Sequence, residues 1–278
     1  MTRQIVVGVD GSAPACAAVR WAAADAGRRG LGLRLVHVCE SWPHSEGIEY
    51  CAALEAAADR ARARAAGIEV TTDLRTGNVV EELIGQSALA DSLVLGRRGL
   101  GGFAGMLLGS VSNAVAGHAV GPVVVVRGPQ EVEHGRVVVG YDGSEPAWAA
   151  MEYAVEQARS RRAELHVVTA WQVPVFSPYA IGYSNLVEEI VQEEPRAARA
   201  LAEPWRTGNP DLVVTDEQPC DHPATALVRA AKTADLVVVG SRGLGGFASA
   251  VLGSVSHAVL HHADCPVAVV HPAARKET

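Results

Sequence analysis

The sequence predicts an α/β protein built from two tandem doubly wound domains, and three observations carry that prediction. The chain repeats itself, apolar β-branched runs alternate with Ala-rich helical stretches, and the central runs are apolar at every position. Residues 5–12 read IVVGVDGS and 137–144 read VVVGYDGS; residues 96–112 read GRRGLGGFAGMLLGSVS and 240–256 read GSRGLGGFASAVLGSVS. The same order in both halves marks a duplication. Runs such as LVVVG and PVVVV have the pattern of strands covered on both faces. Strands alternating with helices then give a parallel sheet with helices on both sides.

In the first copy, strands are expected at 4–9, 33–39, 68–74, 91–95 and 122–126, with helices near 14–29, 49–66, 78–90 and 110–119. In the second copy, strands are expected near 136–141, 164–170, 211–216, 235–239 and 266–270. The copies are assigned to residues 1–128 and 135–273, and the Gly, Pro and charged residues of RGPQEVEHG (127–135) suit a short linker. Two smaller echoes lie between the large ones. His37-Val38 before Trp42 is matched to His166-Val167 before Trp171, and Gly121-Pro122-Val123 to Cys265-Pro266-Val267. Asp10 and Asp142 are 132 positions apart but Gly96 and Gly240 are 144 apart, so the second copy carries 12 more residues. The loop-like VPVFSPYAIGYSN after Trp171 is expected to hold them.

A chain of 278 residues suits two domains of roughly 140, each able to bury a core. The net charge of −7 leaves no basic surplus for a nucleic-acid partner. Five cysteines (Cys16, Cys39, Cys51, Cys220 and Cys265) form no C-x-x-C, which favours a reducing compartment over a disulfide framework or zinc site. MTRQIVVGVDGS resembles a strand rather than a signal peptide, and no apolar run approaches the roughly 20 residues of a membrane span. A cytoplasmic protein without a membrane partner is expected.

In doubly wound sheets the ligand crevice opens at the carboxyl ends of strands, where strand order reverses. Two kinds of strand end here carry unusual chemistry: Gly8-Val9-Asp10-Gly11-Ser12, repeated at Gly140–Ser144, and the glycine-rich runs that begin at Gly96 and Gly240. The runs have the spacing G-x2-G-x9-G-S, set by Gly96, Gly99, Gly109 and Ser110, then Gly240, Gly243, Gly253 and Ser254. Glycine permits positive φ and removes side chains that would hold a polyphosphate away from amide N–H groups. A helix beginning after Gly109-Ser110 presents free N–H groups and a positive dipole end, with Ser110 and Ser112 to cap it or donate to phosphate. Arg97, Arg98 and Arg242 add positive charge nearby. A P-loop is excluded because neither lysine, Lys232 or Lys276, lies in a glycine run. Asp10 and Asp142 are expected to accept ribose hydroxyls or hold magnesium; the structural alternative is an Asx-turn or helix N-cap.

These motifs (VGVDGS, G-x2-G-x9-G-S and the strands PVVVV and CPVAVV) resemble the ATP-binding branch of the universal stress protein family, over essentially the whole chain and twice. The resemblance implies two Rossmann-like domains, each with a five-stranded parallel sheet of order 3-2-1-4-5, paired through their last strands as an internal pseudo-dimer. It implies one ATP per half, with or without magnesium. Gly8 and Gly140 then lie beside the nucleotide, Asp10 and Asp142 meet the ribose, and Val38 and Val167 offer backbone to adenine. Gly96, Gly99, Gly109 and Ser110, with Gly240, Gly243, Gly253 and Ser254, hold the phosphates. Arg98, Gly101, Val111, Ser112, Arg242, Gly245, Val255 and Ser256 complete the expected set.

Other constellations are weaker. His257 and His261 have the i, i+4 pitch of metal ligands but lack the Glu of H-E-x-x-H and a third ligand. Trp42 and Trp171 either wall the pocket or pack the strand exit. With no general base or catalytic lysine in view, the expected role is a nucleotide-dependent regulator of stress or growth state, read by a protein partner and not an enzyme. A homodimer of the whole chain is a further arrangement. A slow ATP hydrolase or phosphotransferase, or a scaffold that has lost nucleotide binding, is the alternative.

Overall fold

Each glycine-serine pair that ends a first strand also starts a helix. Gly11 and Gly143 take positive φ (82° and 77°), turning the chain sharply. Ser12 and Ser144 are then the N-caps, accepting the N–H of Ala15 at 3.2 Å and of Ala147 at 3.3 Å. Pro14 and Pro146 sit in the first turn, where a missing N–H costs nothing. The computed structural model describes residues 4–40, 47–100, 107–127, 132–172, 184–244 and 251–272.

The first copy runs β1 (Gln4–Gly8), α1 (Ala13–Arg29), β2 (Gly32–Cys39), α2 (Gly47–Arg64), β3 (Val70–Thr76), α3 (Val79–Ser87), β4 (Ser92–Gly96), α4 (Ser110–His118) and β5 (Val123–Val126). The second runs β6 (Arg136–Gly140), α5 (Glu145–Arg161), β7 (Glu164–Val168), α6 (Ser184–Gly208), β8 (Val214–Glu217), α7 (Pro223–Ala231), β9 (Leu236–Gly240), α8 (Ser254–His262) and β10 (Val267–Val270). One ten-stranded sheet has the order β3-β2-β1-β4-β5-β10-β9-β6-β7-β8. Each half therefore reads 3-2-1-4-5, with its switch point between the first and fourth strands. The strands within each half are parallel, and β5 meets β10 antiparallel, Val124 opposite Ala268.

One face of the sheet carries α1, α2, α5 and α6 over a core that includes Ile5, Leu33, Leu165 and Met151. The other carries α3, α4, α7 and α8 over Leu93, Val115, Val237 and Leu260. With apolar cover on both faces, β4, β5, β9 and β10 are buried at every residue. Full burial of each such valine is worth about 1.5–3 kcal/mol. The outer edges differ. β3 reads VTTDLRT and has no fully buried residue.

The seam is reinforced across both layers. Arg161 of α5 pairs with Asp25 of α1 at 3.0 Å, and Arg29 with Glu156 at 2.8 Å. On the opposite face, His271 Nε2 donates to the Ala116 carbonyl at 2.8 Å, and Arg127 donates to the Leu260 carbonyl. The internal pseudo-dimer is thus present. Because β5 and β10 pair with each other, those edges are closed to a second chain.

Of the 12 extra residues, seven lengthen a helix instead of the loop: α6 has 25 residues where α2 has 18. Most of the predicted insertion, 173–183, lies outside the described residues, as do Trp42 and linker residues 128–131.

Candidate functional site

A cavity opens at each switch point. In the first half it measures about 320 Å³ and in the second about 750 Å³, within the range of small-molecule sites. Gly8, Asp10, Val38, Gly96, Arg98, Gly99, Gly109, Ser110, Val111 and Ser112 all line the first. Gly140, Asp142, Gly240, Arg242, Gly243, Gly253, Ser254, Val255 and Ser256 line the second. Gly101 and Gly245 lie outside the described residues.

Val167 does not reach the second cavity. It is fully buried in β7, and the cavity wall is made by Val168 and Ala170. Strand register explains the error. Gly8 faces Val36 and Gly140 faces Val168, so Ala170 is the counterpart of Val38, and the His-Val echo is out of step by three residues. Trp171 also stays off the wall, its indole N–H donating to the Gln218 carbonyl at 3.0 Å.

The two aspartates clasp the loops together. Asp10 accepts the N–H of Ser12 at 2.9 Å through Oδ1 and that of Leu100 at 2.9 Å through Oδ2. Asp142 does the same with Ser144 at 3.0 Å and Leu244 at 3.0 Å. The Asx-turn reading is therefore correct, while the N-cap is the serine. Each carboxylate oxygen has acceptor capacity beyond its one N–H, and both aspartates line their cavities. For a divalent ion the described lining of each cavity supplies this one carboxylate. Among the described residues no group of three or more His, Cys, Asp or Glu could hold a metal. A magnesium ion there would complete its shell with water and ligand oxygens.

The glycines serve packing more than bending. None of Gly96, Gly99, Gly109, Gly240, Gly243 and Gly253 has positive φ. A Cβ at Gly96 would sit 2.6 Å from the Pro14 carbonyl carbon, and one at Gly240 2.7 Å from that of Pro146. A Cβ at Gly243 would lie 2.5 Å from Asp142 Oδ2, and Gly99 meets Asp10 in the same way. The missing side chains admit the start of α1 or α5 and the clasping carboxylate.

The anion-binding chemistry sits at α4 and α8. Gly109 and Gly253 are their N-caps, with no side-chain capping bond at either. The first N–H groups of each helix, on Ser110, Val111 and Ser112 and on Ser254, Val255 and Ser256, belong to residues of the cavity wall. Ser112 and Ser256 do not cap these helices. Their buried hydroxyls donate to the carbonyls of Gly96 at 2.8 Å and Gly240 at 2.5 Å, pinning helix to strand. Arg98 and Arg242 add charge beside these termini.

Much of the remaining wall is apolar, and apart from Val38 the sequence reading missed it. Val36, Val38, Val79 and Leu83 shape one end of the first cavity; Val168, Ala170, Pro223 and Leu227 shape the second. Their spacing, i and i+2 on a strand exit and i and i+4 on a helix start, was the available signal. The first cavity adds His37, whose Nδ1 donates to the Val9 carbonyl at 2.6 Å and whose ring stacks on Tyr50 at 4.6 Å. The second adds His257, stacked on His261 at 4.3 Å. Burial, then the neighbouring His257, holds His261 below the usual histidine value. The arrangement can hold a planar apolar group at one end and an anion at the other.

Comparison with known proteins agrees on the family. The profile of the universal stress protein family matches residues 1–127 and 133–271. A universal stress protein of Mycobacterium tuberculosis is 37% identical over 301 aligned residues, covering 95% of this chain and 94% of the relative. One of Mycolicibacterium smegmatis is 35% identical, covering 96% and 97%. The crystal structure of a universal stress protein from Archaeoglobus fulgidus shares the fold, with a TM-score of 0.71 at 21% identity and coverage of 98% and 99%.

Proposed function

The chain belongs to the universal stress protein family, and from that premise we propose that it binds ATP, one per half, as a nucleotide-dependent regulator and not a catalyst. One observation carries the reading: in both halves the uncapped N–H groups of a helix border a cavity whose opposite end is apolar. Adenine then lies against Val36 and Val38, or Val168 and Ala170. The ribose hydroxyls meet the free lone pairs of Asp10 or Asp142, and the phosphates meet α4 or α8, with Arg98 or Arg242. Magnesium arrives with the phosphates and uses at most the one aspartate of each half.

A general base, where a hydrolase uses one, stands within hydrogen-bond reach of the water whose proton it takes. The carboxylates of Asp10 and Asp142 are each engaged by two backbone N–H groups, which favours a clasp over a base. The regulatory output follows if ATP stabilises one arrangement of the halves that a protein partner distinguishes.

The test is the nucleotide content of natively purified protein by mass spectrometry, with calorimetric titration of ATP, ADP, cAMP and GTP. Adenine nucleotide at up to two per chain, with no sustained phosphate release, is expected. Absence of ATP binding in both halves refutes the reading, and steady turnover refutes the non-catalytic part.

A further inference from the structure

A third cavity, of about 380 Å³, lies between the two halves, away from both switch points. Its wall gathers Arg20, Arg28, Arg64 and Arg161 around the indole of Trp21. In a chain of net charge −7, four guanidinium groups on one concave surface run against the overall balance. Two carboxylates share the wall. Asp235 is turned into the linker, accepting the N–H groups of His134, Gly135 and Arg136 at 2.7, 2.8 and 3.2 Å; Glu133 is exposed.

The guanidiniums fall into two pairs. Arg28 and Arg161 converge on the fully buried Asp25, at 3.1 and 3.0 Å, which also takes Arg29 at 3.3 Å. Arg29 also has Asp91 at 2.7 Å and Glu156 at 2.8 Å, so Arg28 and Arg161 are the cations that rely on Asp25, and burial, only partly offset by Asp25, holds the Arg161 guanidinium below its usual range. Arg161 is fixed in place, its side chain 10% exposed and its Cζ 5.1 Å from the Trp21 ring centroid. Arg20 and Arg64 are exposed and make no ion pair among the described residues. The wall itself thus carries four guanidiniums against Glu133 and Asp235, with Asp25 behind it, and arginine forks match phosphoryl oxygens in geometry.

We propose that this inter-half cavity is a second ligand site, distinct from the two switch-point cavities, and that it takes a diphosphate group, free or esterified. One phosphoryl group meets the fixed Arg28–Arg161 pair, and the other is gripped by Arg20 and Arg64 at the mouth. Because α1 and α5 both contribute, a bound diphosphate bridges the halves.

The test is calorimetric titration of inorganic pyrophosphate into three full-length proteins: the wild type, Arg20→Ala with Arg64→Ala, and Ser110→Asp with Ser254→Asp. The last pair alters the switch-point cavities alone. One pyrophosphate per chain is expected to survive in the Ser variant, and affinity for this site is expected to fall roughly tenfold or more in the Arg variant. Arg20 and Arg64 are exposed and make no ion pair among the described residues, so that variant is expected to fold, and ATP binding at the switch-point cavities, which neither residue lines, stays at the wild-type value. Orthophosphate is expected to bind more weakly than pyrophosphate. ADP against pyrophosphate in the Ser variant separates the ester from the free anion, the tighter ligand naming the source. The proposal is overturned if the Ser variant loses all pyrophosphate, if the Arg variant binds like the wild type, or if orthophosphate binds as tightly. These outcomes do not depend on whether ATP occupies the other cavities.

Discussion

Asp10 Oδ2 accepts the N–H of Leu100, 90 residues away in sequence, at 2.9 Å. Its other oxygen takes Ser12 at 2.9 Å, so one carboxylate fixes the end of β1 against the glycine-rich loop. Asp10→Asn turns an amide nitrogen toward one of these donors. A cost of about 1–3 kcal/mol is expected from the unpaired N–H, read as a lower urea midpoint together with weaker ATP binding. An unchanged midpoint would show that the clasp contributes nothing to stability.

Gly96→Ala is expected to be a folding mutation first. Its Cβ would lie 2.6 Å from the Pro14 carbonyl carbon and 2.9 Å from the Ala15 nitrogen, both backbone atoms. Crowding of this kind costs about 1–3 kcal/mol. Gly85→Ala, inside α3 with no atom within 4 Å of the new methyl, is expected to stabilise by about 0.5–1 kcal/mol. Denaturation curves moving in opposite directions verify the pair.

Ser110→Asp with Ser254→Asp separates binding from folding. A carboxylate at the first position of α4 and α8 suits the helix dipole, worth about 0.3–1 kcal/mol, yet stands where a phosphate would be held. ATP affinity is expected to drop at least roughly tenfold while the melting temperature holds or rises. Undiminished ATP affinity places the phosphates elsewhere.

Asp25→Asn leaves Arg28, Arg29 and Arg161 without their shared buried carboxylate. Breaking such a cluster costs about 3–5 kcal/mol. Adding Arg161→Leu to Asp25→Asn is expected to destabilise less than the sum of the single changes. Strict additivity in the double-mutant cycle argues against coupling across the halves.

Stability is expected to fall on acidification. Burial, then the charges of Arg242 and His118, outweighs the Ala116 hydrogen bond and holds His271 below the ordinary histidine value of 6.5; burial does the same to His166. The folded state therefore binds fewer protons than the unfolded chain, and stability is lost as pH drops below about 6.5 toward the folded-state values. His271→Gln removes one contributor and is expected to flatten the loss between pH 7.5 and 5.5. An equally steep loss in that variant excludes His271 as a source.

The halves, their strands and the switch points were legible because duplication and two-sided burial both leave marks on composition. β9, LVVVG, is apolar at every residue and buried at every residue. The site was legible where backbone chemistry imposes a residue type, as at Asp10, Gly96 and Gly109. It was illegible where identity follows from register. Val167 was chosen because His166-Val167 resembles His37-Val38, but pairing of Gly140 with Val168 moves the counterpart of Val38 to Ala170. The reason for the glycines was also hidden, since the Pro14 and Asp10 atoms against which they pack come from elsewhere in the chain.

The antiparallel join of β5 to β10 has a consequence for how the molecule responds. Both partners in that contact belong to one polypeptide, so dilution does not part them, and neither half must match a copy of itself. A symmetric pair of separate subunits changes both receptors with every mutation; here His37 belongs to one and His257 to the other. Under the proposed function, two unequal cavities on one polypeptide give a single nucleotide two thresholds of occupancy, where a symmetric pair of subunits gives one.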